Sequence, residues 1–139
     1  MKCELCATPG GTVLWQDARC RVIHVEEPGY PGFCRVIWNT HIREMSDLDT
    51  ADREHCLHVV FAVERVLRAA MHPDKINLAS LGNMVAHLHW HVIPRFVDDP
   101  HFPQPIWGLR QRPGIAARRG ADAKELAQAL AAELKQAGV

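Results

Sequence analysis

The sequence predicts an α+β domain, an antiparallel sheet with one long helix and a C-terminal helix. Three observations carry this prediction. Arg19 to Val25 and Gly32 to Asn39 are rich in β-branched and aromatic residues, and the turn formers of Glu26-Glu27-Pro28-Gly29-Tyr30-Pro31 separate them. That pattern predicts two antiparallel strands joined by a loop. Leu57, Val60, Phe61, Val63, Leu67 and Met71 recur at intervals of three and four, the period of a helix with one buried face. His87 to Arg95 alternates between histidine and apolar residues, the period of a strand.

In chain order, the first two strands come before the long helix. Ser46, Asp47, Asp49 and Thr50 offer N-cap oxygens to that helix, and Pro73 marks its end. Strands around Lys75 to Ser80 and Val85 to Phe96 follow, with Gly82-Asn83 as the turn signal between them. From about residue 97 to 121, four prolines, three glycines and scattered arginines read as a long irregular arm over the surface. Asp122 with Glu125 resembles a capping box, and Leu126, Leu130 and Leu134 give one apolar stripe to a final helix ending near Gly138. Residues 1–121 therefore read as one domain that includes the arm, and 122–139 as a C-terminal helix of the same domain. No internal repeat is present.

Composition excludes some function classes. Lys plus Arg and Asp plus Glu both total 16 in 139 residues, so the formal net charge is zero and broad capture of nucleic acid or an anionic membrane is not expected. No apolar run suits a signal peptide or a bilayer span, which predicts a cytoplasmic protein without membrane association. The odd set Cys3, Cys6, Cys20, Cys34 and Cys56 fits reduced thiols better than a disulfide framework. The basic surplus lies in the C-terminal part, chiefly Arg110, Arg112, Arg118 and Arg119. It reads either as a solvated loop or as a flap over a polyphosphate.

Nine histidines are the unusual feature. In His87-Leu88-His89-Trp90-His91-Val92-Ile93-Pro94-Arg95, strand alternation puts all three imidazoles on one face and Leu88, Trp90 and Val92 on the other. At about 6.6 Å between successive histidines along a strand, the rings can converge on one small group. Three readings compete: a solvated polar face, a three-histidine metal site, and covalent catalysis at phosphorus. In the last, a neutral imidazole attacks and its neighbours stabilise charge and move protons.

The run resembles the signature of the histidine triad (HIT) superfamily, three histidines each followed by apolar residues, extended by Pro94-Arg95. The resemblance spans about residues 3–96. Glu27-Pro28 through Thr40-His41 is similar to the family hairpin, Asn77 to the asparagine of the strand before the triad, and Gly82-Asn83 to a Gly-Gln pair. The stretch from Asp98-Asp99-Pro100 to Ile106-Trp107-Gly108 looks like a bacterial diadenosine tetraphosphate hydrolase-like branch. The resemblance implies a HIT-like fold and a homodimer. It assigns His89 as nucleophile, His91 as phosphate contact and leaving-group acid, and His87 as an orienting or ligating residue. Asn77, Asn83 and Arg95 become substrate contacts. Two positions depart from the pattern: Met84 stands where a Ser or Thr is common, and Val25 where some members carry an acidic ribose contact.

Cys3-Glu4-Leu5-Cys6 has the spacing of two thiolates on one tetrahedral zinc. The resemblance supplies the other two ligands, His41 and His87, for a closed structural site, and implies no organic cofactor. The remaining histidines, His24, His55, His58, His72 and His101, have no role readable in the sequence. Trp107 suits either base stacking or packing. The expected function is a nucleotidyl hydrolase that cleaves a phosphoanhydride of a nucleotide or dinucleoside polyphosphate such as diadenosine tetraphosphate through a nucleotidyl-histidine. The alternatives are a purine nucleoside phosphoramidase, a nucleotidyltransferase, and a non-catalytic nucleotide-binding module.

Overall fold

The computed structural model describes residues 3–114 and 120–139. A five-stranded antiparallel sheet has the order β1-β2-β3-β5-β4, built from β1 (Thr12–Gln16), β2 (Cys20–His24), β3 (Cys34–Trp38), β4 (Lys75–Ala79) and β5 (His89–Arg95). The two strands expected on either side of the Pro-Gly loop are β2 and β3. Gly32 ends that loop with φ at 82°, a left-handed conformation that favours glycine, and a Cβ there would also press on the Met71 side chain. Strand β1 was not expected. Its pairing with β2 shifts register between Val13 and Trp15, and its residues are exposed or half-buried, which removes the alternation that marks a strand in sequence.

Helix α1 (Glu4–Ala7) is a single turn; α2 (Thr50–Met71) and α3 (Ala123–Gln136) cover one face of the sheet. Asp49 caps α2 by accepting from the Asp52 N–H, and His72 closes it in the left-handed conformation just before Pro73. The buried stripe of α2 runs through Cys56, Val59, Val60, Val63, Val66 and Leu67. Phe61, expected on that stripe, is exposed, and Leu57 is half-buried. The expected face was thus rotated, because Cys56, Val59 and Val66 complete the stripe. Asp122 caps α3, and Leu126, Leu130 and Leu134 are all buried against the same core. Each such burial contributes roughly 1.5–3 kcal/mol. Helix α3 packs on β1 and α2, and Arg65 of α2 pairs with Glu133 of α3.

Because side chains alternate along each strand, Val22, Val36, Trp38 and Val92 enter the core beneath the helices. Arg35, Ile37, His89, His91 and Ile93 lie on the opposite face, with Ile37 registered against His89 and Arg35 against His91. That face is where the chemistry collects. Residues 97–114 contain no helix or strand, as expected of the arm, yet they do not simply run over the surface. Asp99 and Pro100 are buried, and the Asp99 carboxylate accepts from the N–H groups of Phe96, His101 and Phe102. No helix among the described residues is long and apolar enough to cross a membrane.

Candidate active site

His89 and His91 lie on β5 with their rings 4.9 Å apart and nearly perpendicular. His87 precedes the strand as assigned, and is fully buried. Hydrogen bonds fix the tautomer of each ring, because a carbonyl only accepts and a guanidinium only donates. His89 Nδ1 donates to the His87 carbonyl at 2.6 Å, so in the neutral ring the lone pair is on Nε2. Arg35 Nε donates to His91 Nδ1 at 3.3 Å, so neutral His91 carries its proton on Nε2. His87 Nε2 donates to the Trp38 carbonyl at 2.6 Å, leaving its lone pair on Nδ1. One imidazole is therefore set as a nucleophile, its neighbour as a donor, and the third faces away from both tasks.

Burial, then the neighbouring His89 and Arg35, hold His91 down to about 4, so it is neutral at ordinary pH. Burial likewise lowers His87, partly offset by its bond to the Trp38 carbonyl. The His91 ring is also packed against Phe33 and Trp107, with centroids at 5.7 and 4.8 Å. Trp107 remains half exposed and brings the arm to the site.

A cavity of about 420 Å³ opens over these groups, a size suited to a nucleotide-sized ligand. Arg35, Asn83, His89, His91 and Trp107 line it together with an apolar wall that includes Leu81 and Met84. Of the expected substrate contacts, Asn83 is thus at the cavity. Asn77 and Arg95 are placed elsewhere, in a buried network. Arg95 donates from Nε and Nη2 to the two Asp99 oxygens at 2.7 and 3.0 Å, to the Gln104 carbonyl, and to Asn77 Oδ1. The Asp99 carboxyl would be raised by burial, but Arg95 and the three backbone donors overcome this and hold it far below the usual range. In the arm, Arg112 donates to the Asp99 carbonyl and Arg110 to the Arg112 carbonyl, while Arg118 and Arg119 lie outside the described residues.

The second cluster lies behind His87. Cys3 Sγ, Cys6 Sγ, His41 Nδ1 and His87 Nδ1 all fall within 4.8 Å of one another. His87 Nδ1 is 3.3 Å from Cys3, 3.5 Å from Cys6 and 3.2 Å from His41, and Cys6 is 3.5 Å from His41 Nδ1. Ligand atoms about a tetrahedral zinc, with bonds of about 2.0–2.3 Å, are separated by roughly 3.3–3.8 Å. Those four distances, 3.2 to 3.5 Å, are close to that spacing, and the Trp38 carbonyl orients His87 from behind as an imidazole ligand requires. These four are the ligand set that the family resemblance implies.

Two arginines shape the site without having been singled out in the sequence. Arg35 is one. The other, Arg21, is buried and donates to the carbonyls of Leu5, Thr8 and Pro9 and to Asn39, which clamps the segment carrying Cys3 and Cys6. Their only sequence signal is a charge inside a β-branched strand, where an apolar residue is ordinary.

Residues 10–98 match the model of the HIT domain family. Among solved structures, a histidine triad protein from Bradyrhizobium japonicum is 26% identical, with 91% of this chain and 90% of that one covered at a TM-score of 0.69. A histidine triad protein from Marinobacter aquaeolei is 27% identical over 96% and 91% of the two chains, with a TM-score of 0.68. A zinc-bound histidine triad family protein from Mycobacterium smegmatis is 25% identical over 99% and 96%, with a TM-score of 0.64. No curated protein matches the chain.

Proposed function

Because the chain belongs to the HIT domain family, we propose that it is a nucleotidyl hydrolase acting on a phosphoanhydride of a nucleotide or dinucleoside polyphosphate such as diadenosine tetraphosphate. The observation that carries this reading is the tautomer of His89. Its Nδ1–H is tied to the His87 carbonyl, and its Nε2 lone pair belongs to a ring that lines the cavity. A binding module has no need of an oriented imidazole lone pair.

In the first step, Nε2 of His89 attacks phosphorus, an N–P bond forms, and the bond to the leaving oxygen breaks. The positive charge that develops on His89 is stabilised through Nδ1–H by the His87 carbonyl. His91, neutral with Nε2–H as donor, hydrogen-bonds phosphate oxygens, and the phosphate leaving group of an anhydride departs as an anion that needs no proton. Water then attacks phosphorus, the N–P bond breaks, and His89 is regenerated. Asn83 and Trp107 serve the nucleotide from the cavity wall. Asn77 and Arg95 act through position, by holding the arm that carries Trp107.

Cys3, Cys6, His41 and His87 would hold a structural zinc, which would cross-link the N-terminal segment to the strand of the nucleophile. The protein works as a cytoplasmic homodimer, in keeping with five unpaired thiols.

The test is release of AMP from diadenosine tetraphosphate by wild type and by His89→Ala. Turnover by wild type with a loss of at least about 10³-fold in the variant is expected. Equal activity of the two would reject the nucleophile. Nucleotide binding without turnover by wild type would favour the binding module.

A further inference from the structure

Arg35 stands on β3 directly opposite His91, on the face that carries His89. Its guanidinium lies 5.5 Å from the centre of the Phe33 ring, and Nε is bonded to His91. Among the described residues, its two Nη nitrogens have no hydrogen-bond partner, and the nearby carboxylates Glu4 and Glu27 form no ion pair with it. Among the described residues, it is the one Lys or Arg lining the cavity. Met84, where a hydroxyl is common in the resembling family, is 98% exposed and has no group to offer a phosphate.

A guanidinium keeps its charge at any working pH and presents donors suited to phosphate oxygens. Two classes of leaving group respond to it differently. When His89 attacks an anhydride, the P–O bond breaks and its electron pair leaves on oxygen as a phosphate anion, with no proton needed near neutral pH. When it attacks a phosphoramidate, the P–N bond breaks and its electron pair stays on nitrogen, so the amine departs only after taking a proton. A fixed cation lowers the barrier of the first by meeting charge as it develops. The second needs a proton donor, which a guanidinium is too weak an acid to be.

We infer that Arg35 sets the leaving-group preference of this pocket, selecting nucleoside polyphosphates, which release a phosphate anion, over nucleoside phosphoramidates, which release an amine. The inference rests on the proposed role of His89 and deepens it. Both substrate classes can form the same nucleotidyl-His89, so the choice between them lies in what stands beside the departing group. Beside His91 that group is Arg35, whose Nη donors have no partner among the described residues. Its other interaction, on the Phe33 face, holds the guanidinium plane without using those donors.

The experiment compares wild type, Arg35→Met and Arg35→Lys on diadenosine tetraphosphate and on adenosine 5′-phosphoramidate, reading AMP release. Wild type is expected to prefer the anhydride. Arg35→Met should lose about 10²-fold or more in kcat on the anhydride, and at least about tenfold less than that on the phosphoramidate, where only its hold on the His91 tautomer is lost. Arg35→Lys should recover part of the anhydride rate, which a purely structural role of the side chain does not predict. Retained phosphoramidate turnover doubles as evidence that the variant is folded. A wild type preferring the phosphoramidate, or equal losses on the two substrates, would overturn the inference and leave His89 as nucleophile. A wild type that releases AMP from neither would remove the proposed function and this inference together.

Discussion

Two arginines share one face of the sheet and have opposite circumstances. Arg95, at the end of β5, is 2% exposed and gives its donors to Asp99, Asn77 and Gln104. Arg35, half-buried on β3, makes one hydrogen bond among the described residues, to His91, and turns the rest of its guanidinium toward a cavity. The region around Arg95 is saturated by the protein itself, so its charge organises the chain. The region around Arg35, His89 and His91 leaves strong donors and a lone pair without partners among the described residues, and such groups are completed by a ligand or by water. Proximity to a motif therefore says less about function than where each polar atom finds its partner.

The largest effect expected on this contrast comes from breaking the saturated side. Arg95→Met leaves the Asp99 carboxylate buried without its cation and should cost roughly 3–5 kcal/mol of stability, read by denaturant unfolding. The same substitution at Arg35 removes a half-exposed side chain and should cost under about 1 kcal/mol. Similar losses at both positions would erase the distinction. Acid sharpens it further. Asp99 is held below its unfolded value, so its stabilisation is present above the ordinary carboxylate range and is lost as pH falls beneath it. In Asp99→Asn that acid-dependent loss should be absent.

The cluster behind His87 comes next. Protein purified without added zinc should carry about one equivalent by elemental analysis, and Cys3→Ser should lower the metal content and the melting temperature together. A well-folded protein containing no zinc would contradict the assignment. A smaller effect concerns His91, whose folded value near 4 lies below that of an unfolded histidine, about 6.5. Its neutral form favours the fold above that range, and this contribution is lost as pH falls toward 4. NMR titration of the imidazole should place the midpoint near 4 in wild type and higher in Arg35→Met, since burial and His89 persist while the cation is removed. An unchanged midpoint in the variant would separate Arg35 from His91.

Much of this was legible in the sequence, for identifiable reasons. The alternation put His89 and His91 on one face of β5, because strand period fixes facing without any knowledge of neighbours, whereas His87 precedes the strand and turns toward Cys3, Cys6 and His41. The Leu126, Leu130, Leu134 stripe marked α3 equally well. Strand β1 was not legible, since an edge strand with an irregular register has no clean alternation. Nor was Arg35, whose importance comes from pairing between β3 and β5, a non-local fact that no local pattern encodes. Arg95 stood in the motif and drew a substrate role by adjacency, whereas its partners Asp99 and Gln104 come from the arm. Phe61 misdirected the helix face because size and hydrophobicity were visible but its surroundings were not.

The central claim is that His89 takes the nucleotidyl group covalently. Mixing wild-type protein with diadenosine tetraphosphate, quenching within a turnover and mapping the modified peptide by mass spectrometry tests it directly. One adenylyl group is expected on His89, formed and lost at rates that match turnover, with no such adduct in His89→Ala. Turnover with no adduct at any quench time, or an adenylyl group on His91 or His87 instead, would contradict it.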